Sequence, residues 1–446
     1  MLILSNIERL YDGSSAMKQA VHARVDLHLD GGRIRALEPH DGELLARAKA
    51  CHGELAGGAR LADCSGLTVT PGLVDCHGHI TVLGLARAAM DTMLGGGALV
   101  YVEKILHATL VDGGVTTMRD IGGATQLMKR LVDEGVMLGP RLKIAICMLS
   151  TTGGHADFRG PDRCHGELSR LWPEAPGRPS SIVDGPWEAR KRVREIAACG
   201  ADLIKICASP GIASPGDALE HRDFTGEEIA AICDEAGARG LRVAAHAHSR
   251  GGIGLAIEHG VSDLQHISFM DERLAEQAHR KGCTVTPTSW VMAELPSAAG
   301  LSPFVMEKVR LANETHSRAV GLAAKAGLKI LAGTDPVLPG MHGRNYMELV
   351  HLVNDGLSPL AAWHAGTGLA AAEIGQADAG SIAPGQRADL LLCRGDVLAE
   401  PALLDRGALL EVMKDGVGHR GGVPGIPQRT IAHTVDTALG RTTSAR

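Results

Sequence analysis

Aromatic side chains are scarce in this 446-residue chain, where Phe, Tyr and Trp together make up 2% of the residues. Its 45% hydrophobic content is therefore mostly small and aliphatic, which permits a sizeable core and suits parallel strands covered by helices. The ten cysteines form no CxxC pair and no regular framework, so a disulfide scaffold is excluded. Cys76, Cys147 and Cys207 fall in strand-like runs and read as small buried thiols, which points to a reducing compartment. No apolar run reaches the roughly 18–20 residues that a membrane-spanning helix needs. The N-terminal MLILSNIERLYDGSS lacks a basic start, a long apolar region and a small-residue cleavage site. Net charge is −6 with no long basic block, which argues against nucleic acid as a partner. No GxxxxGK[ST] is present, and the glycine pairs Gly122-Gly123 and Gly251-Gly252 lack dinucleotide-binding spacing. The expectation is a soluble cytoplasmic protein acting on a small molecule, with no nucleic acid and no membrane.

What is present begins at PGLVDCHGHI, residues 71–80, where an apolar run ends in His77-Gly78-His79. Residues i and i+2 of a strand share a face, so two imidazoles project together, half of a metal site. From there the rhythm is strand, turn, helix. LVDCH (73–77), TTMRDI (116–121), LKIAICML (142–149), DLIKICA (202–208), LRVAAHAH (241–248), DLQHIS (263–268), CTVTPT (283–288) and LKILAGTD (328–335) read as eight strands. Helical patterns separate them, one opened by the capping box Thr225-x-x-Glu228. Gly200, Gly240, Gly282 and Gly327 read as helix C-caps before strands. Alternation at that count predicts an α/β fold, a (β/α)8 TIM barrel over 71–378. Residues 1–70 and 379–434 carry short strands, among them 2–5, 25–29, 33–37 and 388–396, with a strand and turn over 380–385. They are expected to close one small β-sandwich from both chain ends, with 435–446 a mobile tail.

A barrel gathers the C-terminal ends of its strands at one mouth. His77 and His79 end strand 1, Lys205 lies late in strand 4, and His246 and His248 end strand 5. His266 ends strand 6 and Asp335 ends strand 8. Three or more histidines with an aspartate suit Zn²⁺ or a similar ion. Lys205 is the anomaly, because an ammonium in a buried strand is costly unless paired or shifted in pKa. A desolvated neutral lysine can add CO₂ to form a carbamate, whose two oxygens can each hold a metal.

PxLxDxHxH on strand 1, the strand-4 lysine, single histidines on strands 5 and 6, and GTD on strand 8 resemble the amidohydrolase superfamily. The similar branch groups imidazolonepropionase-related hydrolases with metal-dependent dipeptidases of prolidase type, and the resemblance runs from about residue 2 to 397. It implies His77, His79 and Asp335 on one divalent metal and His246 and His266 on another, with Zn²⁺ the expected ion. Lys205, as N6-carboxylysine, would bridge them. His246 rather than His248 is taken as ligand from the resemblance, since the strand alone puts both on one face. The implied reaction is hydrolysis of an amide or peptide bond by a hydroxide between the metals. Asp335 would take the proton and pass it to the leaving nitrogen, so Asp335 and Lys205 are the catalytic candidates. His155, in a TGGH stretch similar to one in the dipeptidase branch, is the main substrate-contact candidate, with His248 and Arg344 beside it. Arg344 is named because a guanidinium suits a carboxylate, and Arg119-Asp120 is expected to be structural. The expected substrate is a dipeptide, an N-acyl amino acid or an amide-linked xenobiotic, and a homo-oligomer is expected. The alternative is a one-metal deaminase or cyclic-amide hydrolase of imidazolonepropionase type. A non-catalytic scaffold is disfavoured by retention of all six ligand positions.

Overall fold

The computed structural model describes residues 1–15, 17–50, 54–55, 58–84, 98–157, 174–214 and 217–429. The expected tail at 435–446 lies outside them. β1 (Leu2–Tyr11), β2 (Val21–Asp30) and β3 (Arg33–Pro39) run antiparallel. Gly31 and Gly32 join β2 to β3 with φ of 57° and 75°, the left-handed pair that a two-residue hairpin turn requires. β4 (Glu54–Leu55) lies on β5 (Ala59–Asp63), and β5 and β6 (Leu67–Pro71) both run parallel to β1.

The next nine strands are parallel. β7 (Leu73–Gly78), β8 (Val115–Asp120) and β9 (Arg141–Ile144) make one sheet. A second sheet runs in sequence order through β10 (Met148–Leu149), β11 (Ile204–Cys207), β12 (Val243–Ala247), β13 (Asp263–His266), β14 (Thr284–Thr286) and β15 (Lys329–Ile330). Backbone hydrogen bonds connect the two sheets at both edges. Asp202 N–H donates to Ile144 O (2.8 Å) on one side. On the other, Cys76 N–H donates to Ala332 O (2.9 Å) and Asp335 N–H to His77 O (2.8 Å). All eight expected strands have a counterpart, although the eighth, expected over 328–335, is strand only at Lys329–Ile330, so that Asp335 lies in the irregular segment after it. The third, expected as one run over 142–149, is split into β9 and β10 because Ile146 has φ 70°, a left-handed conformation outside the range of strand backbone.

Every residue of β7, β8, β11, β12 and β13 is buried. Their polar members were conspicuous in the sequence for that reason. The Thr225–Glu228 capping box forms at the start of helix Gly226–Gly237. Gly200, Gly240, Gly282 and Gly327 have φ between 66° and 86°, as helix-ending glycines should.

β16 (Leu390–Arg394), β17 (Leu409–Lys414) and β18 (Val417–Gly418) return the chain to its start. β16 pairs antiparallel with β6, from Leu390 opposite Pro71 to Arg394 opposite Leu67. Both chain ends therefore share one sheet, ordered β18-β17-β16-β6-β1-β2-β3. Alternate residues of β16 face two cores. Leu390 and Leu392 join Leu4, Ile7, Leu27 and Val69, whereas Leu391 and Cys393 join the large aliphatic core around the parallel strands. Trp363, one of the few aromatics, fastens the same junction by donating from Nε1 to Val397 O (2.9 Å). Of the strand and turn expected over 380–385, the turn forms at 384–385 and the strand is instead a bend. Ile382 is buried there with its N–H on Asp12 O, and Gly385 follows at φ 89°. No helix among the described residues is long and apolar enough to cross a membrane.

Candidate active site

The C-terminal ends of the parallel strands bring the predicted residues together. The His77 ring centroid lies 5.3 Å from His79 and 4.8 Å from His266, and His246 lies 4.5 Å from His266. Asp335 Oδ1 is 3.5 Å from His77 Nε2 and 3.4 Å from His79 Nε2, and its Oδ2 is 3.9 Å from His266 Nδ1. His77, His266 and Asp335 offer ligand atoms within 4.8 Å of one another, and so do His246, His248 and His266. Lys205 Nζ is buried and has no hydrogen-bond partner among the described residues.

The outward hydrogen bonds settle which ring nitrogens carry protons. His77 Nδ1 is 2.7 Å from Gln265 Oε1, and the Gln265 amide nitrogen is committed to Asp263. Gln265 therefore presents an acceptor, and His77 must donate from Nδ1. His79 Nδ1 donates to Gly122 O (2.9 Å) in the same way. Thr288 spends its hydroxyl proton on Pro287 O (2.6 Å), so His266 donates from Nδ1 to Thr288 Oγ1 (2.8 Å). His246 reverses the pattern, with Nε2 donating to Pro210 O (3.3 Å). The inward Nε2 atoms of His77 and His79 thus present lone pairs toward Asp335 Oδ1. Lone pairs converging on a carboxylate repel unless a proton or a cation lies among them. The donor set fits a divalent metal on this evidence.

Electrostatics agree with that fit. Burial and neighbouring Lys205 and His79 hold His77 well below the usual imidazole pKa, and burial does the same to His246 and His266. His79 is pushed down to about 4 by burial. Neutral imidazole is the ligating form. Burial also lowers Lys205 to about 8 and raises Asp335 to about 7. Each departs from its ordinary value in the direction that favours the neutral group. Backbone strain concentrates here too. His266, Ile267, Thr288 and Asp335 have φ of 72°, 55°, 56° and 47°, a conformation that costs on the order of 1–3 kcal/mol per residue and clusters at functional sites.

Of the substrate-contact candidates, the structure brings two into the cluster. His155 stacks on His246 with centroids 4.1 Å apart. His248 stacks on His266 at 4.6 Å and reaches Ser268 Oγ (2.9 Å), which reaches His316 Nδ1 (3.0 Å). Arg344 is directed elsewhere: it pairs with Asp405 (2.8 Å) and lies over the Trp290 ring. Arg119 is structural as expected, but its carboxylate partner is Asp263 rather than adjacent Asp120. Asp120 instead accepts the backbone N–H groups of Ile80, Gly122 and Ala124. Sequence reasoning missed Gln265, Thr288 and the lock of Asp75 on Thr334 (2.6 Å) and Asn345 (2.8 Å), which ties β7 to the segment carrying Asp335. Gln265 and Asp75 had a signal, since each is a polar residue inside a fully buried strand. Thr288 and Asn345 had none.

A family model described as the amidohydrolase family matches residues 68–417, a span holding every residue of the cluster. The chain belongs to the amidohydrolase family. It is a hydrolase acting on carbon–nitrogen bonds. Ochratoxinase of Aspergillus niger is 31% identical to it over 380 residues, covering 80% of this chain and 76% of that protein. Imidazolonepropionase of Deinococcus radiodurans is 30% identical over 368 residues, covering 79% and 84%. A solved prolidase complexed with N-methylphosphonate-L-proline superposes with a TM-score of 0.82 at 28% identity, covering 94% of this chain and 99% of that one.

Proposed function

We propose that this amidohydrolase holds two divalent metal ions and cleaves the amide or peptide bond of a small carboxylate-bearing substrate. Dipeptides, N-acyl amino acids and amide-linked xenobiotics of that shape are the candidates. His77, His79 and Asp335 would hold one ion, His246 and His266 the other, and Lys205 as a carbamate would span both. The observation that carries this reading is Lys205 Nζ, buried with no hydrogen-bond partner among the described residues and close enough for its charge to act on His77, His246 and His266. A carbamate there would turn an unsatisfied donor into a pair of ligand oxygens. Zn²⁺ suits the nitrogen-rich set. Bound metal would supply Lewis acidity, polarising a carbonyl and acidifying water.

The protein's own groups do the rest. Asp335 accepts a proton at its carboxylate and returns it to the leaving nitrogen. Gln265 and Gly122 O fix the rings of His77 and His79. His155, in van der Waals stacking with His246, faces the bound substrate. The carboxylate preference is supported by the prolidase relative, whose ligand is a proline derivative. Arg344 would serve that carboxylate only by leaving Asp405. The reading takes β7 to β15 as one closed (β/α)8 barrel over 71–378, supported by the edge-to-edge hydrogen bonds, with 1–70 and 379–434 as a flanking β-sandwich. A reducing, cytoplasmic setting is supported by the eight cysteines among the described residues, all free.

Metal content per chain, measured on wild type and Lys205→Ala, tests the proposal. Two equivalents falling sharply in the variant, with activity on dipeptides or N-acyl amino acids restored by a short carboxylic acid, is the expected result. One equivalent, indifferent to Lys205, would overturn it and favour the one-metal cyclic-amide hydrolase suggested by the imidazolonepropionase relative.

A further inference from the structure

The contacts that hold His155 lead away from the histidine cluster to a buried lysine, Lys308. The His155 ring packs directly against Gly211. A side chain at Gly211 would collide with Nδ1 and Cε1 and come within 3.0 Å of Cγ. Pro210, one residue earlier, accepts from His246 Nε2. The same loop leaves β11, and Asp223 near its far end accepts the His155 backbone N–H (3.2 Å). The described residues of this stretch form no helix or strand, so their carbonyls must find partners elsewhere. Lys308 supplies them.

Lys308 lies on helix Pro303–Lys325 and is 4% exposed. Its Nζ donates to Gly211 O (2.8 Å), Ser214 O (2.6 Å), Asp217 O (2.9 Å) and Asp217 Oδ1 (2.9 Å). Three ammonium hydrogens thus serve four oxygens of one loop, three of them backbone carbonyls. Asp217 also takes the Gly211 N–H (3.2 Å). Apolar packing sets the register: Ile212 and Leu219 from the loop share a cluster with Val305, Val309 and Ala312. These three lie on the helix face that also carries Lys308. The apolar contacts would survive a methionine at 308. Only a cation turns the carbonyls inward.

We propose that Lys308 is a positioning residue for substrate: it anchors the loop through Gly211, and Gly211 fixes the His155 imidazole against His246. This rests on the reading of His155 as a substrate contact. The test is Lys308→Met, which keeps side-chain length and removes the donors. Amide exchange at residues 209–214 and 217–224 is expected to rise locally, the His155 imidazole ¹⁵N resonances to shift, and metal content to stay as in wild type. On a substrate of the proposed class, kcat/KM is expected to fall about tenfold to a hundredfold, the scale of a misplaced positioning group. The double variant Lys308→Met/His155→Ala is expected to be no worse than His155→Ala. Gly211→Ala, a second route to the same contact, is expected to lower kcat/KM without loosening the loop. Unchanged exchange and unshifted His155 resonances in Lys308→Met would overturn the proposal. So would losses that multiply in the double variant. Exchange and ring resonances need no substrate, so they decide this inference even if the proposed substrate class proves wrong.

Discussion

At the proposed metal site, replacing Gln265 with leucine separates metal affinity from fold stability. Gln265 Oε1 is the sole acceptor shown for His77 Nδ1, at 2.7 Å, and its amide links His77 to the buried Asp263–Arg119 pair. Leucine fills similar space and accepts nothing. Loss of an outer partner of a metal-ligating histidine typically weakens metal binding by about 10–100-fold. That corresponds to roughly 1.4–2.7 kcal/mol. The metal-free protein has an escape, because the proton of His77 can move to Nε2 and point at Asp335 Oδ1, now 3.5 Å away. Its stability should therefore fall by less than the roughly 1–3 kcal/mol of a buried orphaned donor. Chelator competition gives the affinity, and denaturant unfolding of the metal-free protein gives the stability. Metal affinity within about threefold of wild type would refute the tautomer argument, since losing the outer hydrogen-bond partner of a ligating histidine costs more than that.

Three further outcomes are expected. On the proposed mechanism Asp335→Asn removes the group that takes and returns the proton, so kcat should drop by about 10²–10⁴ with KM changing far less, as steady-state kinetics will show. Thr225→Ala deletes the capping box over helix Gly226–Gly237 and should cost about 1 kcal/mol, read as a lower denaturant midpoint at unchanged slope. Glu235 is held down to about 2, first by its hydrogen bond to Arg194 and then by the charges of Arg194 and Arg239. A carboxylate with a depressed folded-state pKa stabilises above its ordinary value of 4.5 and loses that contribution as pH falls toward 2. Wild type should therefore lose more Tm than Glu235→Gln between pH 5 and pH 3, where the ordinary carboxyl titrates. Parallel Tm profiles would contradict this assignment.

The strand starts and helix caps were legible because each is a local decision. A run such as DLIKICA is apolar on both faces, and only a doubly covered parallel strand accepts that. The split of the third strand at Ile146 and the bend at 380–382 were not legible. They depend on what the backbone meets in space, notably Asp12 O above Ile382. Lys205 and the histidines were visible as polar residues in apolar runs, whereas Lys308 looked like any charged residue on an amphipathic helix. Its burial depends on a loop that precedes it by about ninety positions. Arg344 illustrates the converse: the residue type suited a carboxylate, and folding gave it the carboxylate of Asp405.

The sequence by itself determined the alternation of strands and helices, the six candidate ligands and the family they resemble. Those features follow from side-chain chemistry and periodicity along one stretch of chain. Tertiary structure alone decided which nitrogen of each histidine faces inward, because that depends on acceptors from other strands: Gln265 for His77, Gly122 for His79, Thr288 for His266 and Pro210 for His246. A ring's proton goes where its nearest acceptor lies, and that acceptor is chosen by the fold.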